Sequence, residues 1–488
     1  MGIRINNTLS RRTEELEPRE PGKIGMYVCG PTVYNYVHIG NARTLLWFDF
    51  IRRYLIYRGY DVNYVTNYTD VDDKIIERAK LEKVSPDAVA LKYTTAFEAD
   101  MRALGVQPPD LISKATDHIK DMVDAIEGLI EKGAAYATGG DVFFSIDSFE
   151  GYGKLSHRSL DDLNAGEERV EAHEGKRHPL DFALWKSAKE GEPAWPSPWG
   201  PGRPGWHIEC SVMSTKYLGM GFDIHGGGSD LTFPHHENEI AQAEALAGSE
   251  PFVRVWMHAG MVQMDSTKMS KSLGNVVLAK DSIERFGGEQ VRYWALMSSY
   301  SSQPAFSEDS LGDAAAAYDR WKTFDHAVRH AIGDAPPAPS RVRRDIESLK
   351  PTGPDGYIAR FMEAMDDDFN SAGAFSVVHD LVSEGNRLLA KIGDDDVADD
   401  LRAHAQVFAE LMEVLDFDFD DESAGSELVS DLVQLLIDLR EEARAERAFE
   451  RADAIRKRLS TMGVVLEDTP SGTRWKVEGP SRGAPTDS

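Results

Sequence analysis

Only two cysteines occur in the 488 residues, and both sit where an apolar run gives way to glycine or polar residues. Cys29 ends the run Ile24–Cys29 just before Gly30, and Cys210 closes the segment Gly-Trp-His-Ile-Glu-Cys, 205–210. A third cluster of chemically active residues lies in Pro-His-His-Glu-Asn-Glu, 234–239, where His235 and Glu239 are four apart and share one helix face. Thiolate, imidazole and carboxylate donors together suit zinc. The wide spacing leaves a second reading open. In it the cysteines are small buried hydrophobes, and His235, His236 and Glu237 simply open a capped helix.

Two other strings suit phosphate chemistry. His38-Ile39-Gly40-Asn41 falls where a loop enters a helix, so free N–H groups and the helix dipole form an anion site. Gly40 admits a ligand close to the backbone, while His38 and Asn41 can donate to phosphate oxygens. Lys268-Met269-Ser270-Lys271-Ser272 places two lysines and two serines ahead of Gly274, as a loop closing on a triphosphate requires. A solvated basic loop is the alternative for that string.

These residues need elements to hold them. A short apolar strand at 24–30, a helix from His38 to Gly59 and a strand from Val62 form the opening of a parallel α/β sheet. From 136 to 205 the pattern turns irregular and rich in Pro, Gly and Trp, as an insertion would. A strand restarts at Gly221, a helix follows from Phe233, and another strand begins at Phe252. The expected fold class is α/β, a doubly wound parallel, Rossmann-like nucleotide-binding domain with an insertion, then a helical bundle and a small C-terminal module. The expected boundaries are 1–135 and 206–333 for the two catalytic halves and 136–205 for the insertion. A bundle at 341–415, a C-terminal module at 427–478 and a tail at 479–488 follow.

The two phosphate strings, in this order on the two halves of one sheet, resemble those of class I aminoacyl-tRNA synthetases. The second string is intact; in the first, Asn41 replaces the family's second histidine and keeps a donor without a charge. Gly226-Gly227-Gly228-Ser229-Asp230 resembles the family's ATP-ribose segment. Cys29, Trp206, Cys210, the block 233–242, Met365–Asn370 and the C-terminal segments around Asp468 and Trp475 resemble the cysteinyl-tRNA synthetases along essentially the whole chain.

That resemblance implies zinc, one per chain, on Cys29, Cys210, His235 and Glu239. It implies catalysis through His38, Asn41, Lys268 and Lys271, and ATP binding through His38, Gly40, Asn41, Gly226, Gly228, Asp230 and Lys271, with Mg²⁺ accompanying ATP. L-Cysteine would meet Gly30, Thr69, Trp206 and His225. Cysteine and serine differ by one atom, and an apolar pocket cannot reach ~10⁴-fold discrimination on that difference; a metal that prefers the thiolate can. Four protein ligands normally close a zinc site, so substrate binding needs a fifth position or a ligand that moves, with Glu239 the candidate.

Arg440, Arg444, Arg447, Arg451 and Arg458 recur at helical spacing, interleaved with glutamates, and form an expected basic stripe. Together with Asp468 and the stacking candidate Trp475, they are the expected contacts for tRNA(Cys). Two other functions fit the catalytic half alone: a ligase passing cysteine to a small amine, and an inactive zinc- or RNA-binding paralogue. The arginine stripe and the residues after the catalytic half argue against the first, the intact motifs against the second.

Charge sets the last constraint. The net charge is -28, from 82 acidic and 54 basic residues, so a polyanion is repelled at long range. No apolar run approaches about 18 residues, and the start has no secretory pattern. A cytoplasmic monomer without membrane contact is expected. Charging should be poor in dilute buffer and rise toward molar salt, where the Debye length falls to about 3 Å. An aminoacylation series in KCl from about 0.05 to 3 M checks this; a maximum near 0.1 M followed by monotonic loss would refute it.

Overall fold

The computed structural model describes residues 2–159, 175–248, 251–264, 267–268, 277–333, 353–392, 395–419, 424–469 and 472–477. The chain forms two compact units, Met1–Asp418 and Phe419–Ser488.

An N-terminal hairpin, β1 (Arg4–Asn7) and β2 (Arg12–Glu15), precedes the central sheet. That sheet contains β3 (Lys23–Val28), β4 (Asp61–Tyr68) and β5 (Leu111–Lys114) from the first half of the chain. The insertion strands β6 (Ala135–Thr138), β7 (Asp141–Phe144), β8 (Phe182–Ser187) and β9 (Gly202–Pro204) come next in sequence. Strands β10 (Phe222–Gly228) and β11 (Val253–Ala259) then complete the central sheet. Its spatial order is β11-β10-β3-β4-β5, and every pairing is parallel. The winding reverses between β3 and β10. In such sheets ligands bind beyond the carboxyl ends of the strands at this switch point. Here those ends carry Cys29 after β3 and Gly226–Gly228 on β10.

Among the described residues of the region expected to be irregular, β6-β7-β8-β9 form an antiparallel sheet with a register shift between Val142 and Phe143. The strands, of three to six residues, are too short for a clean period of two to show. Their inner faces bury Phe144, Phe182 and Trp185 in one cluster with Ile208 and Val212 of the second catalytic half.

Helix α1 (Ile39–Tyr57) crosses the sheet, and fourteen of its residues are buried, from Ile39 through Tyr57. Gly226 is required by this packing: a Cβ there would stand 2.2 Å from the Phe48 ring. The far half of α1 meets the helices Pro354–Asp366 and Asp395–Leu415. Tyr54 donates to Asp366 Oδ1 at 2.6 Å, Tyr57 to Glu410 Oε1 at 2.7 Å, and Arg53 to Asp416 Oδ1 at 2.7 Å. These helices therefore belong to the same compact unit as the sheet.

Glu289, in the first turn of the helix Gly288–Leu296, has a buried Oε2 with no hydrogen-bond partner among the described residues. Burial raises its carboxyl from 4.5 to about 7, with Arg292 opposing. Between those values the unfolded chain has released a proton that the folded chain keeps, so this group's contribution to stability falls as pH rises through that window. Glu289→Gln should therefore stabilise the protein at pH 8 and change little at pH 4.5, measured by denaturant midpoints. A pH-independent difference would count against the assignment.

The second unit pairs the helices Ala424–Ala445 and Phe449–Thr461 with a hairpin of β15 (Val464–Thr469) and β16 (Gly472–Val477). Val433, Ile437, Leu459, Val464 and Leu466 form its core, and Trp475 packs on it, half-buried. The arginine stripe on one continuous helix is corrected here. The chain turns between Ala445 and Phe449, with Arg447 at φ 61, so Arg451 and Arg458 lie on a second helix. Arg440 is 3% exposed and holds Asp468 with both terminal nitrogens, at 2.9 and 2.8 Å. These bonds draw Asp468 down to about 2, so the two residues join helix to hairpin.

Candidate metal and nucleotide site

Four elements converge at the switch point. Cys29 follows β3, and Cys210 lies inside α5 (Trp206–Leu218), with α2 (Asp73–Glu82), α3 (Pro86–Ala103) and α4 (Ile119–Glu131) preceding it in the chain. His235 lies in a kinked turn, Thr232–His236, that runs into α6 (Glu237–Ala247) bearing Glu239. All four side chains are buried. Cys29 Sγ lies 3.6 Å from Cys210 Sγ, 3.6 Å from His235 Nε2 and 3.4 Å from Glu239 Oε1; His235 Nε2 and Glu239 Oε1 are 3.0 Å apart.

A tetrahedral ion with Zn–S about 2.3 Å and Zn–N about 2.0 Å has S···S edges near 3.8 Å and S···N edges near 3.5 Å. The donors already stand at about that spacing. A second set, Cys29, His225, His236 and Glu239, also falls within the same radius. It is the looser one, with His236 Nε2 4.0 Å from Glu239 Oε1.

The charges point the same way. Burial, with Cys210 and Glu239 close by, pushes the Cys29 thiol well up. Burial also works against ionising Cys210, yet its contact with Cys29 and the charge of His235 bring it down to about 6. Burial disfavours the His235 cation, but Glu239 and Cys210 raise it to about 10. The negative charge that Glu239 and Cys210 carry out of reach of water is offset by His235, and a metal ion in its place would offset it likewise.

Outer partners orient these donors. His207 Nδ1 lies 2.9 Å from His235 Nδ1, leaving Nε2 aimed at the cluster, and Trp206 stacks on His235 at 4.1 Å between centroids. His225 Nε2 sits 2.8 Å from Glu239 Oε2, leaving Oε1 for the centre. Gly30 is required by close approach: a Cβ would come within 1.7 Å of the Asn67 carbonyl oxygen, and Gly30 N–H donates to Asn67 Oδ1.

Beside this cluster opens a cavity of about 270 Å³ lined by Cys29, Gly30, His38, Asn41, Trp206, Gly228 and Asp230, among others. The donor Cys29, the phosphate-string residues His38 and Asn41 and the ribose candidate Asp230 thus share one space. His38 is the N-cap of α1, its Nδ1 accepting from Asn41 N–H at 3.3 Å, and Asn41 is exposed. Gly40, Thr69, His225 and Gly226 are not on the cavity wall. His225 is fully buried against Glu239, Thr69 is 1% exposed and bonded to Glu209, and Gly226 packs on Phe48.

Lys268 ends the strand β13 (Thr267–Lys268), paired with β12 (Gln263–Met264), which in turn pairs with β14 (Ala305–Phe306). Lys271, with Met269, Ser270 and Ser272, lies outside the described residues, as do 334–352 and the tail at 479–488. The described segment that resumes at Val277 is stitched to the start of α1. Ile39 N–H donates to Val277 O at 3.0 Å, and Ala279 N–H to Val37 O at 2.9 Å. Buried Arg43 of α1 binds Ser299 O at 2.6 Å and Gly260 O at 3.2 Å, tying to this helix the segments that lead into β14 and β12.

Sequence reasoning missed His207, Glu209 and Asn67. The signal for the first two was present, since Trp206 and Cys210 are four apart on one helix and the residues between them cannot lie far from the metal cluster. Asn67 carried no comparable mark.

The switch-point site and the paired phosphate strings define a class I aminoacyl-tRNA synthetase. Residues 15–316 match the family described as tRNA synthetases class I (C) catalytic domain, and residues 360–420 match the DALR domain. The fold is also that of Mycobacterium tuberculosis methionyl-tRNA synthetase bound by methionyl-adenylate. That likeness has a TM-score of 0.58 at 15% identity and covers 80% of this chain and 92% of that one. The cysteine–tRNA ligase of Brevibacillus brevis is 49% identical over 98% of this chain and 100% of its own length. That of Carboxydothermus hydrogenoformans is 48% identical over 97% of this chain and 100% of its own length. The chain belongs to the cysteine–tRNA ligase family. No helix among the described residues is long and apolar enough to cross a membrane.

Proposed function

We propose that Cys29, Cys210, His235 and Glu239 hold a zinc ion and that the ligase uses it to choose cysteine over serine. The observation that carries this reading is a buried set of four donors whose ligand atoms all lie within 4.8 Å of one another, with Cys29 3.4–3.6 Å from each of the other three. When bound, the metal supplies Lewis acidity that favours a substrate thiolate over an alcohol. His207 and His225 hold His235 and Glu239 in register, and Glu239 would serve the metal through Oε1 while His225 keeps Oε2. Trp206 walls the cysteine side. His38 and Asn41 face the phosphates, Asp230 accepts from the ribose, and Lys268 and Lys271 neutralise charge as pyrophosphate leaves, with Mg²⁺ entering on ATP. The cysteine carboxylate attacks the α-phosphorus, and a hydroxyl of the terminal adenosine of tRNA(Cys) then takes the cysteinyl group. The helices of 353–418 and the second unit, with Arg444, Arg447, Arg451 and Trp475, are assigned to tRNA. Arg440 and Asp468 serve there by fixing the hairpin to its helix.

The test is zinc analysis together with ATP–pyrophosphate exchange driven by cysteine or serine, before and after chelation. One zinc per chain is expected, with exchange lost on chelation and restored by zinc. A metal-free protein that prefers cysteine as strongly as the loaded one would overturn the reading.

A further inference from the structure

Arg43 opens the second turn of α1 and is 1% exposed. Its Nη1 donates to Gly260 O and Tyr300 O, both at 3.2 Å, and its Nη2 to Ser299 O at 2.6 Å and Ser298 Oγ at 3.4 Å. Its Nε is buried and has no hydrogen-bond partner among the described residues. These partners are dipoles, and none is an anion. Arg52, Arg203, Arg292 and Arg440 are buried as well, yet each pairs with a carboxylate, that of Asp110, Asp73, Asp49 and Asp468 in turn. Among the described residues Arg43 is the buried arginine without such a pair. Burial alone draws its guanidinium down, to about 10, so it stays charged at neutral pH.

That charge stands behind the nucleotide site without lining its cavity. Gly260 follows β11, whose last residue Ala259 pairs with Gly228, and a Cβ on Gly40 would stand 3.8 Å from Val262. Along α1 the rise from Gly40 to Arg43 is only about 4.5 Å. His38 and Asn41 bring hydrogen-bond donors to the phosphates, and Arg43 is the first fixed positive charge on the helix. A charge buried without a counter-ion costs free energy, and an anion arriving beside it through protein of low dielectric recovers part of that cost.

We propose that Arg43 is a buried electrostatic determinant of ATP recognition, an unpaired positive charge whose counter-ion is the bound triphosphate. The assignment rests on the reading that ATP lies across the start of α1 and the segment Gly226–Asp230. It makes Arg43 a positioning residue that favours ligands by their charge, and it separates that role from its hold on Gly260 and Ser299.

The experiment compares equilibrium binding of adenosine, AMP and ATP to wild type and Arg43→Gln. Without added Mg²⁺ the ligand charge rises along this series from none through about -2 to about -4. The glutamine amide can still donate to two of the carbonyls, but it carries no charge. Adenosine should bind within about twofold of wild type, AMP about 3- to 10-fold more weakly and ATP about 10- to 100-fold more weakly, with zinc content unaltered. Equal weakening of all three ligands, as lost positioning alone gives, or unchanged ATP binding overturns the proposal. Failure of the nucleotide-site reading is distinguishable, because Asp230→Ala would then leave adenosine binding unchanged. Should Arg43→Gln not fold, Ser298→Asp and Ser298→Asn decide, since the aspartate supplies Arg43 with a counter-ion of the protein's own and leaves the guanidinium in place. The aspartate should lower the affinity for ATP relative to adenosine by about 10-fold, and the asparagine should leave that ratio within about twofold. An unchanged ratio in Ser298→Asp overturns the assignment.

Discussion

Cys210→Ser will purify without zinc, and its cysteine-dependent ATP–pyrophosphate exchange will fall by about 10³-fold or more. Outer-shell partners of a metal cost about 10- to 100-fold when removed, and a direct donor costs more. Serine nearly matches cysteine in volume, so Trp206–Leu218 keeps its packing, but an alcohol does not ionise near neutral pH and cannot serve as a soft donor. His235 and Glu239 then close on each other across their 3.0 Å gap as a buried ion pair. His225→Ala is the graded control. It removes the bond that holds Glu239 Oε2 and should lower zinc affinity by about 10- to 100-fold without abolishing binding. Metal analysis by mass spectrometry and exchange assays with cysteine and serine read both variants. Stoichiometric zinc in Cys210→Ser, or an unaltered preference for cysteine over serine, would remove Cys210 from the site.

Much of this centre was legible in the residues because rare residue types mark it. Two cysteines in the whole chain, a histidine and a glutamate four apart, and a strand–glycine pattern at each sheet half point to one place. The sheet order explains why the marks converge, since β3 and β10 flank the reversal of winding and both end in chemically active residues. What lay hidden depends on which side chains meet in three dimensions. His207 faces His235, Glu209 faces Thr69, and His225 turns to Glu239 instead of lining the cavity, and no local pattern encodes these pairings. The break in the arginine stripe was hidden for another reason. Residues 446–448 contain no glycine or proline, and the turn instead puts Arg447 at φ 61, a conformation a non-glycine side chain adopts only at some cost. The insertion sheet escaped notice because strands of three to six residues show too few alternations.

Arg292→Ala will destabilise the first unit by about 3–5 kcal/mol, the range for removing one partner from a buried charge network. Arg292 is fully buried on the helix Gly288–Leu296 and reaches in two directions. Its Nε donates to Leu415 O at 3.0 Å and its Nη1 to Leu104 O at 3.1 Å, so both carbonyls would be orphaned. Its charge stands 3.7 Å from both Asp49 of α1 and Asp416. Arg53 touches the same two carboxylates, at 2.8 and 2.7 Å, and is left alone to balance them after the substitution. Asp416 is already raised by burial, with Arg292 the first of the groups holding it down, so losing that arginine raises it further. The comparison is Arg360→Ala, which breaks a pair with Asp380 whose side chains are 50% and 54% exposed. Water and salt screen such a pair, so its loss should cost less than about 1 kcal/mol. Urea midpoints for the two variants, measured at equal m-value, separate the cases. A difference under about 1 kcal/mol would mean that Arg53 alone compensates the carboxylates. The network matters to the reaction because α1 begins at His38 and Asn41, and its far half is held in place by these ions, Tyr54 and Tyr57. A variant that stays folded at low temperature should therefore bind ATP more weakly while keeping its zinc, since the metal donors do not rest on this helix.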